Sequence, residues 1–338
     1  MAEGLLEHGG RLKAAARHYG IAEADWLDLS TGIAPIPWPL PPLPESAWAR
    51  LPEEGDALAA LAARCYGAQH ALPVAGSQAA IQALPLLWPR ARVAVLTPCY
   101  AEHAAAWQRA GHALQPVSAE AIEAQLEQQD VLVLANPNNP TGMRFSADQL
   151  LAWHARLAAR GGLLLVDEAF MDCSAAQSIA AHAHQPGLVV LRSFGKFFGL
   201  AGVRLGFVLA EPALLARLQQ HLGPWTVSGP ARLIGCAALA PDAAAARASR
   251  AAQLEADGAR LAALLRRLGL PPCGGTALFQ WLRHPEASAL HEALAQRGIL
   301  VRLFSDPPSL RIGLPGDAAG WARLEQALTD ILQTGVRR

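Results

Sequence analysis

Apolar runs of four or five residues, separated by stretches of helical spacing, recur through the middle of the chain. Val93–Leu96, Val131–Ala135, Leu163–Val166 and Leu188–Leu191 are such runs, and Val203–Leu209, interrupted by Arg204, reads as a further strand. Continuous apolarity, as opposed to alternation, marks strands covered on both faces. Helical spacing fills the intervals: Asp56–Cys65, a segment opened by Pro73–Gln78 and running to about Trp88, Ala101–Ala110, and Ser146 to Arg160. Ser146, followed by Asp148 and Gln149, reads as an N-cap with its acidic or amide partners. Strands alternating with helices predict an α/β fold, a mostly parallel central sheet with helices on both faces. Such sheets bind ligands at the carboxyl ends of their strands.

The two ends of the chain have a different pattern. A short helical pattern, Arg11–His18, and a strand-like Trp26–Ser30 precede Pro35–Pro44, whose six prolines require an extended arm. Past Glu211-Pro212 a helical stretch runs from about Ala231 to Leu268, and Pro241 should divide it. The tail then reads as strand (Leu278–Leu282), helix (Ser288–Arg297), strands (Ile299–Leu303 and Ser309–Ile312) and a closing helix (Ala318–Thr334). The expected organisation is an N-terminal arm over 1–45, a large domain over 46–225 and a smaller α+β domain over 226–338, joined by the N-terminal segment.

Composition narrows the range of partners. The 28 basic and 28 acidic residues cancel, so nothing draws the chain generally to nucleic acid or an anionic membrane, and an anionic ligand needs a local site. Five scattered cysteines without CxxC spacing argue against a disulfide framework and against a zinc site, and suit a reducing cytoplasm. No signal peptide or membrane-length apolar run is read, so a soluble cytoplasmic protein is expected.

The candidate chemistry gathers at strand ends. Lys196 follows the apolar run Leu188–Leu191 and sits among Phe194, Phe197 and Phe198, a setting unlike that of a solvated lysine. Burial there would lower its pKa and free the amine to form a Schiff base. Ser193 lies three residues before it and Arg204 eight after, a hydroxyl and a planar fork of donors suited to phosphate. Together these point to a pyridoxal phosphate site. Asp167 ends the run Leu163–Val166, where a carboxylate could cap, pair with an arginine or hold a protonated pyridine nitrogen. Asn139, in Asn136-Pro137-Asn138-Asn139-Pro140-Thr141-Gly142, lies in a turn-rich loop that could also offer an amide to a cofactor. Ser77 and Gln78 open a helix after Gly76, a natural phosphate seat. Tyr100 follows another strand end, as ordinary packing or as a plate against a planar ring.

With these residues in hand, nearly the whole chain resembles the fold-type I pyridoxal-phosphate enzymes of the class I/II aminotransferase group. It is most similar there to the threonine-phosphate decarboxylases of cobalamin biosynthesis and to the related histidinol-phosphate aminotransferases. The motifs are His8-Gly9-Gly10, Asp28-Leu29-Ser30-Thr31-Gly32-Ile33, Leu51-Pro52-Glu53, Asp167-Glu168-Ala169-Phe170-Met171-Asp172 and Arg192-Ser193-Phe194-Gly195-Lys196. The resemblance implies Lys196 as the Schiff-base lysine and Asp167 as partner of the ring nitrogen. It implies Asn139 on the phenolic oxygen and substrate, Tyr100 stacked on the ring, and Ser77, Gln78, Ser193 and Arg204 on the cofactor phosphate. Arg311 would take the substrate's α-carboxylate, and His8, Gly9 and Gly10 its phosphate.

The activity implied is decarboxylation of L-threonine O-3-phosphate to (R)-1-amino-2-propanol O-2-phosphate by a homodimer. A histidinol-phosphate-type aminotransferase using 2-oxoglutarate is the alternative, and a non-catalytic cofactor-binding protein a more distant one. Four positions depart from the related pattern: Phe170 in place of a tyrosine, Gly195 of a serine or threonine, Ala34 of an asparagine and Leu51 of a tyrosine.

Overall fold

The computed structural model describes residues 9–334, which form two compact units. One holds residues 37–139 and 143–251; the other holds the chain before residue 37, residues 140–142 and the chain after 251. The last division, after residue 251, falls inside one continuous helix, Ala244–Arg267, whereas the sequence pattern suggests boundaries after residues 45 and 225.

The chain enters through the helix Leu12–Tyr19 and a two-residue strand, β1 (Leu27–Asp28). The proline-rich run that follows is extended, with no helix before Ser46. The larger unit is built on β2 (Leu72–Val74), β3 (Arg92–Leu96), β4 (Ala113–Val117), β5 (Val131–Ala135), β6 (Leu163–Asp167), β7 (Leu188–Ser193) and β8 (Gly206–Leu209). These seven form one sheet in the order β2-β8-β7-β6-β5-β3-β4. All neighbours pair parallel except that β8 is antiparallel to both β7 and β2. The expected α/β sheet is therefore present, and its one reversed strand matters for the site.

Both faces of the sheet are buried. Val93, Val95, Val131, Val133, Leu163, Leu165, Val189 and Leu191 share one core with Ile81, Leu84 and Trp107 of the flanking helical segments. The alternate residues Leu132, Leu134, Leu164, Val166 and Val190 are equally inaccessible. Each such side chain contributes roughly 1.5–3 kcal/mol relative to exposure. Ser146 caps the helix Ala147–Ala158 by accepting a hydrogen bond from the Gln149 amide at 3.2 Å, as its sequence context predicts.

Some elements differ from the sequence reading. The helix from Ser77 ends at Ala83 and continues only as a 3₁₀ turn, Leu84–Leu87, because Pro85 cannot donate within a helix. β2 and β4 are not marked by apolar runs. Each is short, carries a proline and lies at a sheet edge, where a missing N–H is tolerated. Residues 203–205 are not strand: the 3₁₀ turn Ala201–Val203 and a left-handed Arg204 precede β8.

The smaller unit carries β9 (Gly274–Thr276), β10 (Phe279–Arg283), β11 (Ile299–Leu300), β12 (Arg302–Ser305) and β13 (Pro308–Gly313). β12-β13-β10-β9 form an antiparallel sheet, and β1 pairs parallel with β11. The helices Ala287–Ala295 and Ala318–Thr334 complete this unit, and Pro241 separates Gly229–Leu239 from Ala244–Arg267 as expected. Among the described residues no helix is long and apolar enough to cross a membrane.

Candidate active site

In the larger unit the strand ends are in register: Ala135 lies opposite Asp167, Asp167 opposite Leu191, Ser193 opposite Gly206, and Gly206 opposite Val74. The parallel strands finish at this edge. β8 runs the other way and so starts there, bringing Arg204, two residues before it, to the same place. At this edge lies a cavity of about 140 Å³. Ser77, Gln78, Tyr100, Asn139, Asp167, Ser193, Lys196 and Arg204 all line it. These are the eight residues that the sequence nominates for cofactor binding.

Each is held by local chemistry. Asp167 is 5% exposed. Its Oδ1 accepts the Ala169 amide at 3.0 Å, and its Oδ2 lies 2.9 Å from Nε2 of His103. Neither capping alone nor an arginine accounts for this carboxylate; a buried histidine is its partner. The histidine is itself 1% exposed, so an N–H donated to Asp167 is shielded from competing water. His103 is absent from the sequence reading, although it lies one helical turn past Tyr100 on the helix Ala101–Arg109. An i, i+3 pair on a helix at a strand end is the signal that would have found it.

Tyr100 donates its hydroxyl to Oε1 of Gln78 at 3.2 Å, and Nε2 of Gln78 donates to Glu102 at 2.8 Å. The Gln78 side chain thus fixes the tyrosine ring. The loop with Asn139 is pinned by its other asparagines. Oδ1 of Asn136 accepts the Phe145 amide at 2.9 Å, and Nδ2 of Asn138 donates to the Pro98 carbonyl at 2.8 Å.

Arg204 has φ 55° and ψ 55°, a left-handed conformation that is costly for a residue with a side chain and that marks functional sites. Its Nη1 donates to the Ala201 carbonyl at 3.0 Å. A Cβ placed on Gly76 would come within 2.7 Å of Nη2 of Arg204, and Gly76 itself has φ +76°. Only glycine allows the guanidinium to lie against the start of the helix that carries Ser77 and Gln78.

Lys196 lies in the short helix Phe194–Phe197 and is half-buried. The phenylalanines beside it in sequence are not its surroundings. Phe194 stacks on Phe198 at 4.3 Å between centroids, Phe197 and Trp38 meet Phe198 edge-on, and none of these lines the cavity. They form an apolar footing behind the turn. The aromatic ring facing the lysine is Phe170, whose centroid is 5.8 Å from Nζ. Gly195 is required by close packing, since a Cβ there would lie 2.8 Å from Cα of Ala201.

A buried ionic cluster ties the ends of β6 and β7 together. Arg192 bonds Glu168 at 2.9 Å and Asp172 at 3.0 Å, and its guanidinium lies 4.4 Å from the centre of the Tyr66 ring. Ser178 donates to Glu168 at 2.5 Å. Burial raises the Glu168 and Asp172 carboxyls above their usual range, with Arg192 opposing it. Against its own burial, the two carboxylates hold the Arg192 guanidinium above its ordinary value.

Of the residues nominated for substrate, Gly9, Gly10 and Arg311 belong to the smaller unit, and His8 lies outside the described residues. Arg311, on β13, is 5% exposed and donates through Nη2 to the Ser30 carbonyl at 2.6 Å. Gly10 donates its amide to the Ser30 hydroxyl at 2.8 Å. Of the four departures noted in the sequence, Ala34 is buried and Leu51 is exposed.

Residues 49–328 match the model of the family "Aminotransferase class I and II". A threonine-phosphate decarboxylase of Pseudomonas aeruginosa is 59% identical over 96% of this chain and 97% of its own. A second, from Sinorhizobium sp., is 47% identical with the same coverage of both chains. The solved histidinol-phosphate aminotransferase of Sinorhizobium meliloti, in complex with pyridoxal-5'-phosphate, superposes with a TM-score of 0.77 at 20% identity, covering 98% of this chain and 96% of that one. With an α/β sheet, a strand-end cavity and a family match over most of its length, the chain belongs to the class I and II aminotransferase family.

Proposed function

We propose that this protein is a pyridoxal-phosphate-dependent decarboxylase that converts L-threonine O-3-phosphate to (R)-1-amino-2-propanol O-2-phosphate and CO₂, a step of cobalamin biosynthesis. The observation that carries this reading is 59% identity over 96% of the chain to a threonine-phosphate decarboxylase. The cavity residues fit the cofactor: an amine (Lys196), a buried carboxylate (Asp167), an aromatic face (Tyr100) and, beside the glycine cradle at Gly76, a guanidinium (Arg204). Pyridoxal phosphate, when bound, supplies an electron sink for the pair left at the substrate's α-carbon as a bond there breaks.

The chain's own residues have distinct tasks. Lys196 Nζ would hold the cofactor's aldehyde carbon. Asp167, oriented by His103, would keep a proton on the ring nitrogen. Arg204, Ser193, Ser77 and Gln78 would take the cofactor phosphate, the last two through the start of their helix, and Asn139 the phenolic oxygen. Phe170 has no hydroxyl to add there. Arg311 would hold the substrate carboxylate, and His8, Gly9 and Gly10 would receive its phosphate.

The same parts serve transamination, so the products decide. Protein incubated with L-threonine phosphate alone should accumulate aminopropanol phosphate. If histidinol phosphate with 2-oxoglutarate is consumed in its place, the chain is an aminotransferase. We further propose a cytoplasmic homodimer. Free cysteines and the exposed Leu40, Trp48, Leu51 and Trp225 of the larger unit support this, and sedimentation would read the dimer as about twice the 35.7 kDa chain mass.

A further inference from the structure

Ser30 uses three of its polar groups inside the smaller unit, and two of them hold residues assigned to substrate. It is 2% exposed. Its carbonyl accepts Nη2 of Arg311 at 2.6 Å. Its hydroxyl accepts the Gly10 amide at 2.8 Å and donates to Oδ1 of Asp28 at 2.7 Å, while its own amide donates to that same oxygen at 2.9 Å. Asp28 therefore fixes the direction of the hydroxyl, leaving a lone pair for Gly10. Gly9 closes on the same residue: a Cβ there would lie 2.3 Å from the Ser30 carbonyl oxygen. Leu29 anchors the segment, its amide to the Leu300 carbonyl at 2.7 Å and its carbonyl to the Gly313 amide at 2.8 Å.

We propose that Ser30 is a positioning residue for substrate recognition: its carbonyl orients the Arg311 guanidinium and its hydroxyl seats the Gly9-Gly10 segment, setting the spacing between them. A substrate with two anionic groups, a carboxylate and a phosphate, needs both elements placed at once, and misplacing one loses binding energy without altering bond-breaking. The inference rests on the proposed reading, in which Arg311 and the glycine segment receive those two anions. Ser30→Ala removes the glycine link and the hydroxyl's bond to Asp28, and keeps the amide that bonds Asp28 and the carbonyl that holds Arg311.

The test uses the cofactor-loaded protein and three readouts. Ser30→Ala should raise KM for L-threonine phosphate about tenfold, leave kcat within about twofold and leave cofactor affinity unchanged. Hydrogen exchange in the peptide that spans Gly10 should become faster. Gly9→Ala, which leaves Ser30 intact but forces the segment away from it, should raise KM likewise and covers the case in which Ser30→Ala does not fold. An unchanged KM in both variants, or a loss of cofactor affinity that accompanies the rise in KM, overturns the proposal. If the parent protein does not turn over L-threonine phosphate, the functional reading fails separately. Exchange at Gly10 then tests the seating of the glycine segment by itself: faster in Ser30→Ala supports that part of the proposal, and unchanged overturns it.

Discussion

Replacing Arg192 by methionine tests whether the ionic cluster at the ends of β6 and β7 holds the site together. The substitution keeps an unbranched apolar side chain but leaves Glu168 and Asp172, at 2.9 and 3.0 Å from the lost guanidinium, without a counter-charge. Breaking a buried pair on one side costs about 3–5 kcal/mol, because the surviving charge cannot be hydrated. With a urea dependence of roughly 3–4 kcal/mol per M for a unit of this size, the unfolding midpoint should fall by about 1 M near pH 8.

The deficit should also depend on pH. Both carboxyls are raised by burial even with Arg192 present, and removing the arginine raises them further. A carboxyl whose folded pKa exceeds its unfolded value carries no penalty below the unfolded value, about 4. The penalty grows as pH rises toward the folded one, because the unfolded chain ionises first. The variant should therefore be closest to the parent near pH 5 and furthest at pH 8. Tryptophan fluorescence in urea at the two pH values reads this directly. A midpoint within about 0.2 M of the parent at pH 8 would refute the argument, as would a deficit equal at both values.

Two further outcomes follow from the geometry of the cavity. His103→Leu removes the 2.9 Å partner of Asp167, a charge-assisted bond of about 1.5–3 kcal/mol, so pyridoxal phosphate affinity, titrated by absorbance, should drop at least tenfold; an unchanged affinity would mean that Asp167 keeps its direction unaided. Gly195→Ser sets a Cβ 2.8 Å from Cα of Ala201 and should displace the Lys196 turn, costing about 1–3 kcal/mol in thermal unfolding along with the visible absorbance of the loaded protein, whereas a normal spectrum would show that the turn yields easily.

Much of this architecture could be read in the sequence, and its limits are physical. The buried strands were legible because a strand covered on both faces must be apolar throughout, as Val131–Ala135 and Leu163–Val166 are. The eight cavity residues could be found because each sits at the end of such a run or beside a glycine turn, and topology then brings the ends to one edge. β2 and β4 escaped because Pro73 and Pro116 disguise strands that lie at sheet edges. His103 is harder to find: its place three residues past Tyr100 is a local signal, but its partner, Asp167, lies 64 residues away. The setting of Lys196 likewise depends on contacts distant in sequence. Phe194, Phe197 and Phe198 are its neighbours along the chain, yet they turn toward one another and Trp38, leaving Phe170 to face the amine.

The most direct test of the central claim is the count of CO₂ molecules released per bound cofactor from L-threonine phosphate labelled at its carboxyl carbon, with no keto acid present. The account predicts many labelled CO₂ per cofactor, one aminopropanol phosphate for each, and none from a Lys196→Ala protein. Label retained in the amino acid, or lost as a keto acid with no more than one equivalent turned over per cofactor, would contradict it.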